Sequence, residues 1–164
     1  MCGIVGYIGE KQAEAILLGG LKKLEYRGYD SAGIAVNTGE DKFHIVKKVG
    51  RLKNLADILE KEPLKGTMAI GHTRWATHGK PSDENSHPHF NKDETLVVVH
   101  NGIIENYLEL KKELIAKGYK FNSETDTEVV THLLDELYEG DLLEATKKLI
   151  KIIKGAYALG IMAV

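Results

Sequence analysis

The sequence predicts an α/β layered fold built on antiparallel sheet. Strand-like and helix-like stretches follow one another in mixed order along the chain. Two strands, Ala32–Val36 and Phe43–Val49, are joined across Asn37-Thr38-Gly39-Glu40-Asp41, a hairpin signal that disfavours a doubly wound parallel sheet. At 164 residues and 43% hydrophobic content, the chain is one domain or most of one, with enough apolar side chains for a real core.

The elements follow in order. Cys2–Ile8 is a short apolar run containing Gly3 and Gly6, read as a buried strand. Ala13, Ile16, Leu17, Leu21 and Leu24 recur at helical spacing, with Gly28 as a stop. Gly19-Gly20 inside that helix costs stability and implies close packing against a neighbour. The hairpin comes next. Leu52, Leu55, Ile58 and Leu59 mark a second helix, closed by Pro63. Thr67–Gly71 and Thr95–His100 read as strands, separated by the polar, aperiodic stretch Thr73–Glu94. A loop of that length inside a compact domain is usually functional. Asn106 with Glu109, Thr125 with Glu128 and Asp141 with Glu144 each make a capping-box-like helix start. Gly118 and Gly155 are the stops for the first and last of these helices. Ala156–Val164 reads as a strand that stays apolar to its final residue, so the domain is expected to be incomplete at its C-terminal end.

Composition excludes several classes. Lys and Arg total 22 against 24 Asp and Glu, which argues against a general nucleic-acid binder. Cys2 is the sole cysteine, so no disulfide framework exists and a reducing compartment fits. No apolar run approaches the ~18 residues needed to span a membrane. The N-terminus lacks the pattern of a secretory signal. The expected location is cytoplasmic.

Chemistry-bearing residues sit at the strand ends and in the long loop. Removal of Met1, which a small following residue permits, would give Cys2 both a thiol and a free α-amine, a nucleophile and a base in one residue. The opposing reading makes Cys2 a small buried hydrophobe. His72-Thr73-Arg74-Trp75-Ala76-Thr77-His78-Gly79 follows a strand and concentrates a cation, the sole Trp, hydroxyls and imidazoles. Arg74 offers a planar fork for a carboxylate, or pairs with an acidic neighbour on the surface. Asn101-Gly102, after the run Leu96–Val99, is either a plain hairpin turn or a pair of donors for an oxyanion. Ser123–Glu128 reads as helix capping, with Asp126 free to hold an ammonium group. Tyr26–Gly33 is either a turn held by Arg27 and Asp30 or a loop over a site. His72, His78, His87, His89 and His100 match no zinc spacing, so no metal is expected.

Taken together, Cys2-Gly3-Ile4-Val5-Gly6, Tyr26–Gly33, His72–Gly79, His100–Gly102 and Glu124–Glu128 resemble the N-terminal-nucleophile (class II) glutamine amidotransferases, in the same order and across the whole chain. The wording is nearest to the glutaminase domains of the glutamine–fructose-6-phosphate aminotransferases. The phosphoribosylpyrophosphate amidotransferases are the nearest rival, with a Tyr typical where Trp75 stands. The resemblance implies a four-layer αββα sandwich, two antiparallel sheets between helix layers. It implies that Cys2 attacks the side-chain amide of L-glutamine with its own α-amine as base, and that Asn101 and the Gly102 N–H hold the oxyanion. Arg74 would take the substrate α-carboxylate and Asp126 its α-ammonium. Thr77 and His78 would line the pocket, and Trp75 would gate the passage of ammonia. The implied partner is the sugar-phosphate isomerase domain of the same full-length chain, absent here, which turns fructose 6-phosphate into glucosamine 6-phosphate in amino-sugar biosynthesis. A homo-oligomer is implied for that full-length enzyme, and no cofactor.

Overall fold

The computed structural model describes all residues, Met1–Val164. The strands are β1 (Gly3–Ile8), β2 (Ser31–Asn37), β3 (Phe43–Val49), β4 (Met68–Arg74), β5 (His89–Phe90), β6 (Leu96–Ile104) and β7 (Gly155–Ala163). The helices are α1 (Ala13–Leu24), α2 (Leu52–Lys61), α3 (Tyr107–Ala116), α4 (Asp126–Leu137) and α5 (Leu142–Leu149). Two sheets form, ordered β1-β4-β2-β3 and β5-β6-β7, and every pairing in them is antiparallel.

Alternation along the strands builds four layers. In β2, Ala32, Ile34 and Val36 pack with Leu17, Leu21, Leu55 and Leu59 of α1 and α2. Ala35, one step out of phase, faces the other way, into a cluster with Ile70 of β4 and Val97, Val99 and Met162 of the second sheet. In β6, Leu96 and Val98 meet Leu110, Leu114, Val130, Leu134 and Leu149 of the other helices. Successive strand residues point to opposite faces, so each inner strand serves a helix layer and the sheet–sheet interface at once. Burying one such leucine contributes roughly 1.5–3 kcal/mol. The result is α1/α2, sheet, sheet, α3/α4/α5, the αββα sandwich expected from the resemblance.

The hairpin and five helix starts fall where periodicity placed them. Several local expectations do not survive. β1 is an edge strand and only half-buried, with Ile8 exposed. Gly20 packs on Val5, but nothing lies close to Gly19. Neither Asn106 nor Thr125 caps its helix through the side chain. Asn106 instead accepts from Lys154 N–H at 2.8 Å and donates to the Ile152 carbonyl at 3.0 Å. Asp141 does cap, accepting from the Glu144 N–H at 3.0 Å. α5 stops at Leu149, short of the expected stop at Gly155.

The largest departures concern the two strands nearest the chemistry. β4 continues through His72, Thr73 and Arg74, pairing with β1 and β2 over its length. β6 continues through Asn101 and Gly102, which pair with Ala158 and Tyr157 of β7. Asn101-Gly102 is therefore neither a hairpin turn nor a strand end. Cross-strand partners far along the chain hold the backbone extended where local sequence suggests a turn.

Candidate active site

β1, β4, β6 and the first turn of α4 converge on Cys2. The Trp75 N–H donates to Cys2 Sγ at 3.3 Å, and the thiol reaches the Trp75 carbonyl at 3.6 Å. Asn101 Nδ2 donates to the Cys2 carbonyl at 3.3 Å. A cavity of about 20 Å³ lies beside the thiol. Cys2, Arg74, Trp75, Thr77, His78, Gly102 and Asp126 line it, so seven of the eight expected site residues surround one void. Asn101 touches Cys2 without lining the cavity. That volume suits about one water molecule. A larger cavity, about 340 Å³, lies by Lys47, His89 and Glu128, away from the thiol.

The Cys2 thiol is pushed above its ordinary value by burial, which outweighs the Trp75 N–H and the positive charges of the N-terminus and Arg74. The resting group is a thiol that needs a base. Met1 is exposed, and its ammonium donates to the Arg27 carbonyl at 2.9 Å.

Arg74 corrects the expectation of a loop residue with a free fork. It is the last residue of β4, only 3% exposed, and its guanidinium donates to the carbonyls of His78, Gly79 (3.0 Å) and Lys80 (3.3 Å). Neutral carbonyls leave its charge uncancelled, so it anchors the 75–80 loop and keeps a positive field at the pocket. The alternative of an acidic surface partner fails, because the oxygens that accept from Arg74 all belong to the backbone.

The Tyr26–Gly33 segment proves to be a strap over the site. Asp30 Oδ2 accepts the Ala76 N–H at 2.7 Å, and Asp30 N–H donates to the Arg74 carbonyl at 3.1 Å. Tyr29 packs edge-on against Trp75, with ring centroids 5.8 Å apart. Trp75 is nevertheless 46% exposed and forms an outer wall of the site. His78 meets Tyr107 edge-on at 5.1 Å.

Gly102 has φ +134°, and a Cβ there would collide with the Ala156 carbonyl of β7. Only glycine fits that left-handed backbone. Asp126 opens α4, where its charge suits the helix N-terminus. Its Oδ2 accepts the Ile104 N–H at 2.8 Å.

Sequence reasoning passed over His87, His100, Thr125 and Thr127 as pocket residues, yet all four line the cavity. Their signal was weak: the histidines looked like a rejected metal set and the threonines like helix caps. Thr125 Oγ1 instead meets His89 Nε2 at 2.8 Å, and Thr127 Oγ1 meets His87 Nε2 at 2.8 Å and His100 Nδ1 at 2.9 Å. No group of three His, Cys, Asp or Glu side chains is placed to hold a metal ion. Glu128 accepts the N–H groups of Asn122 and Ser123, and these bonds with His132 overcome its burial and hold it down to about 2.

The profile of a family described as "Glutamine amidotransferase domain" matches residues 72–163, more than half of the chain. The glutamine–fructose-6-phosphate aminotransferase (isomerizing) of Clostridium acetobutylicum is 60% identical over 99% of this chain and 27% of that protein. The Thermus thermophilus protein of the same name is 58% identical over 97% of this chain and 26% of that protein. The chain thus spans about a quarter of the length of the curated relatives it matches. Among solved structures, the glutamine phosphoribosylpyrophosphate amidotransferase of B. subtilis superposes with a TM-score of 0.85 at 33% identity, covering 99% of this chain and 35% of that one. With a profile running from β4 to β7 and such relatives along its whole length, this chain belongs to the glutamine amidotransferase domain family.

Proposed function

We propose that residues 1–164 form a glutaminase domain that releases ammonia from L-glutamine through a γ-glutamyl thioester on Cys2. The observation that carries this is the gathering around one void of Cys2, which directly precedes β1, with Arg74 of β4, Gly102 of β6 and Asp126 of α4. In this reading Met1 is removed and the Cys2 α-amine takes the thiol proton. The sulfur attacks the side-chain amide carbon, and the oxyanion that forms is held by Asn101 Nδ2 and the Gly102 N–H. The C–N bond breaks as the α-ammonium returns its proton to the leaving ammonia. Water then attacks the thioester, the amine takes its proton, and glutamate leaves with the thiol restored.

Glutamine is a zwitterion at its backbone end. Arg74 suits its carboxylate and Asp126 its ammonium, while Thr77 and His78 bound the pocket. A void of about 20 Å³ is too small for an amino acid, so the pocket must widen to admit the substrate. In this reading Trp75 gates the passage of ammonia.

The names and lengths of the relatives support a further step. The ammonia is destined for fructose 6-phosphate, converted to glucosamine 6-phosphate by an isomerase region elsewhere in the same polypeptide, in a homo-oligomeric, cytoplasmic enzyme. No helix of this chain is long and apolar enough to cross a membrane.

Replacement of Cys2 by Ala is expected to abolish glutamate release and labelling by an electrophilic glutamine analogue. Unchanged release or labelling would overturn the nucleophile assignment. A Met1-retaining sample is expected to keep the thiol and lose turnover. Glutamine binding without ammonia release from a processed chain would instead favour a silent glutamine-binding module.

A further inference from the structure

Asn85 lies in the long polar loop between β4 and β5, is 3% exposed, and has both ends of its side-chain amide engaged. Nδ2 donates to the Lys80 carbonyl at 2.9 Å and to Glu124 Oε2 at 3.2 Å. Oδ1 accepts the Glu124 N–H at 2.8 Å. A reversed amide would set its oxygen against a carbonyl and a carboxylate, and its NH2 against an N–H. The partners therefore fix which end is which.

The two partners belong to opposite sides of the Cys2 pocket. The Lys80 carbonyl also accepts from Arg74 Nη1, at 3.3 Å, so Asn85 and the guanidinium share one oxygen. Glu124 stands just before Thr125 and Asp126, where α4 begins. Gly79 brings the loop backbone close to both. At its φ of +77°, a Cβ there would lie 2.7 Å from Asn85 Nδ2 and 3.0 Å from Glu124 Cβ. Asn85 itself rests on a fixed platform. Its N–H donates to Ser82 Oγ at 3.2 Å, and Ser86 Oγ donates to the Ser82 carbonyl at 2.6 Å, closing a turn over residues 82–86. Asp83 ties that turn to the edge strand β3, accepting the Val49 N–H at 2.7 Å and the Lys48 ammonium at 2.8 Å.

We propose that Asn85 is a positioning residue that sets the spacing between Arg74 and Asp126, and with it the preference for a substrate that carries both an α-carboxylate and an α-ammonium. Asn85 does not line the cavity. It acts through the Lys80 carbonyl on one side and through Glu124 on the other. A zwitterion held at two points needs both holders at one separation. A ligand with the carboxylate alone tolerates a shift of one holder. The roles of Arg74 and Asp126 rest on the glutaminase reading above, whereas the brace between their segments does not.

The test compares Asn85→Asp with the unaltered chain, Met1 removed from both. The change keeps the side-chain shape but replaces the NH2 by a carboxylate oxygen facing the Lys80 carbonyl and Glu124. Each chain is given L-glutamine and 4-carbamoylbutanoate, which lacks the α-ammonium. Asn85→Asp is expected to raise the KM for glutamine roughly tenfold with a smaller change in kcat, and to reduce the preference for glutamine over 4-carbamoylbutanoate by a similar factor. An equal loss of kcat/KM for the two substrates would overturn the proposal, because general support of the fold would explain it. So would a folded Asn85→Asp chain with the original KM and preference. A second measurement reads the brace without substrate and without the variant. In the unaltered chain, the two Asn85 Nδ2 protons and the Glu124 N–H are expected to exchange slowly with solvent by NMR, and fast exchange would also overturn the proposal. That measurement decides if Asn85→Asp does not fold. Absence of ammonia release from the unaltered chain would count against the glutaminase reading, with the exchange rates still deciding the brace.

Discussion

The backbone N–H of Trp75 donates to Cys2 Sγ across 3.3 Å, so the first residue of the 75–80 loop holds the sulfur that the loop covers. One such donor does not offset burial, and the thiol stays above its ordinary value. In the Met1-retaining chain, the alkylation rate of Cys2 by iodoacetamide is expected to rise with pH around a midpoint above that of free cysteine, about 8.5. A midpoint below that value would mean that the site stabilises a resting thiolate and needs no adjacent base.

Arg74 holds the same loop from its other end. Lysine would keep the charge but lose the planar fork that spans the Gly79 and Lys80 carbonyls. Loss of charge-assisted bonds worth about 1.5–3 kcal/mol should raise the KM for glutamine roughly 10- to 100-fold in Arg74→Lys, with a smaller change in kcat. Proteolysis within residues 75–80 should also quicken. Steady-state ammonia release checks the first outcome, and an unchanged KM would reassign Arg74 to a purely structural role.

The chain is expected to be acid-labile well above the carboxylate range. His72, His87, His89 and His100 are buried, and burial holds all four below the ordinary imidazole value, His72 at about 3. A ring whose pKa is depressed by folding binds its proton more readily when unfolded. Its contribution is therefore complete above about pH 6.5 and is lost as pH falls below that, for His72 towards about 3. Each such ring should lower the unfolding free energy by up to about 1.4 kcal/mol per pH unit below 6.5. Glu128 acts lower, its contribution present above about pH 4.5 and lost as pH falls towards 2. Urea unfolding at pH 7.5, 6.5 and 5.5 reads the histidine effect, and a flat profile across that range would contradict it.

Much of the site was legible before any fold was known. Cys2, Arg74, Gly102 and Asp126 stand out by residue type, and each ends up at the same void. What misled was local reading of backbone. Asn101-Gly102 carries turn chemistry, yet β7 pairs with it and keeps it extended. Thr125 and Glu128 carry capping chemistry, yet Thr125 is drawn to His89 and Glu128 to the Asn122 and Ser123 N–H groups. For Asn101-Gly102 and Thr125 a partner distant along the chain outbids the near one, because a buried polar group must find a partner somewhere, whereas Glu128 reaches only five and six positions back.

Periodicity and turn residues settle element order, the β2–β3 hairpin and the apolar face of α2, since each depends on neighbours a few positions away. Residue chemistry marks Cys2 as a candidate nucleophile and names its candidate partners. The meeting of Cys2 with residues roughly a hundred positions later, the engagement of Arg74 by its own loop and the joining of His87, Thr127 and His100 depend on long-range packing of two sheets. Such contacts are set by which faces bury together, and no local pattern encodes which distant side chain will be waiting there.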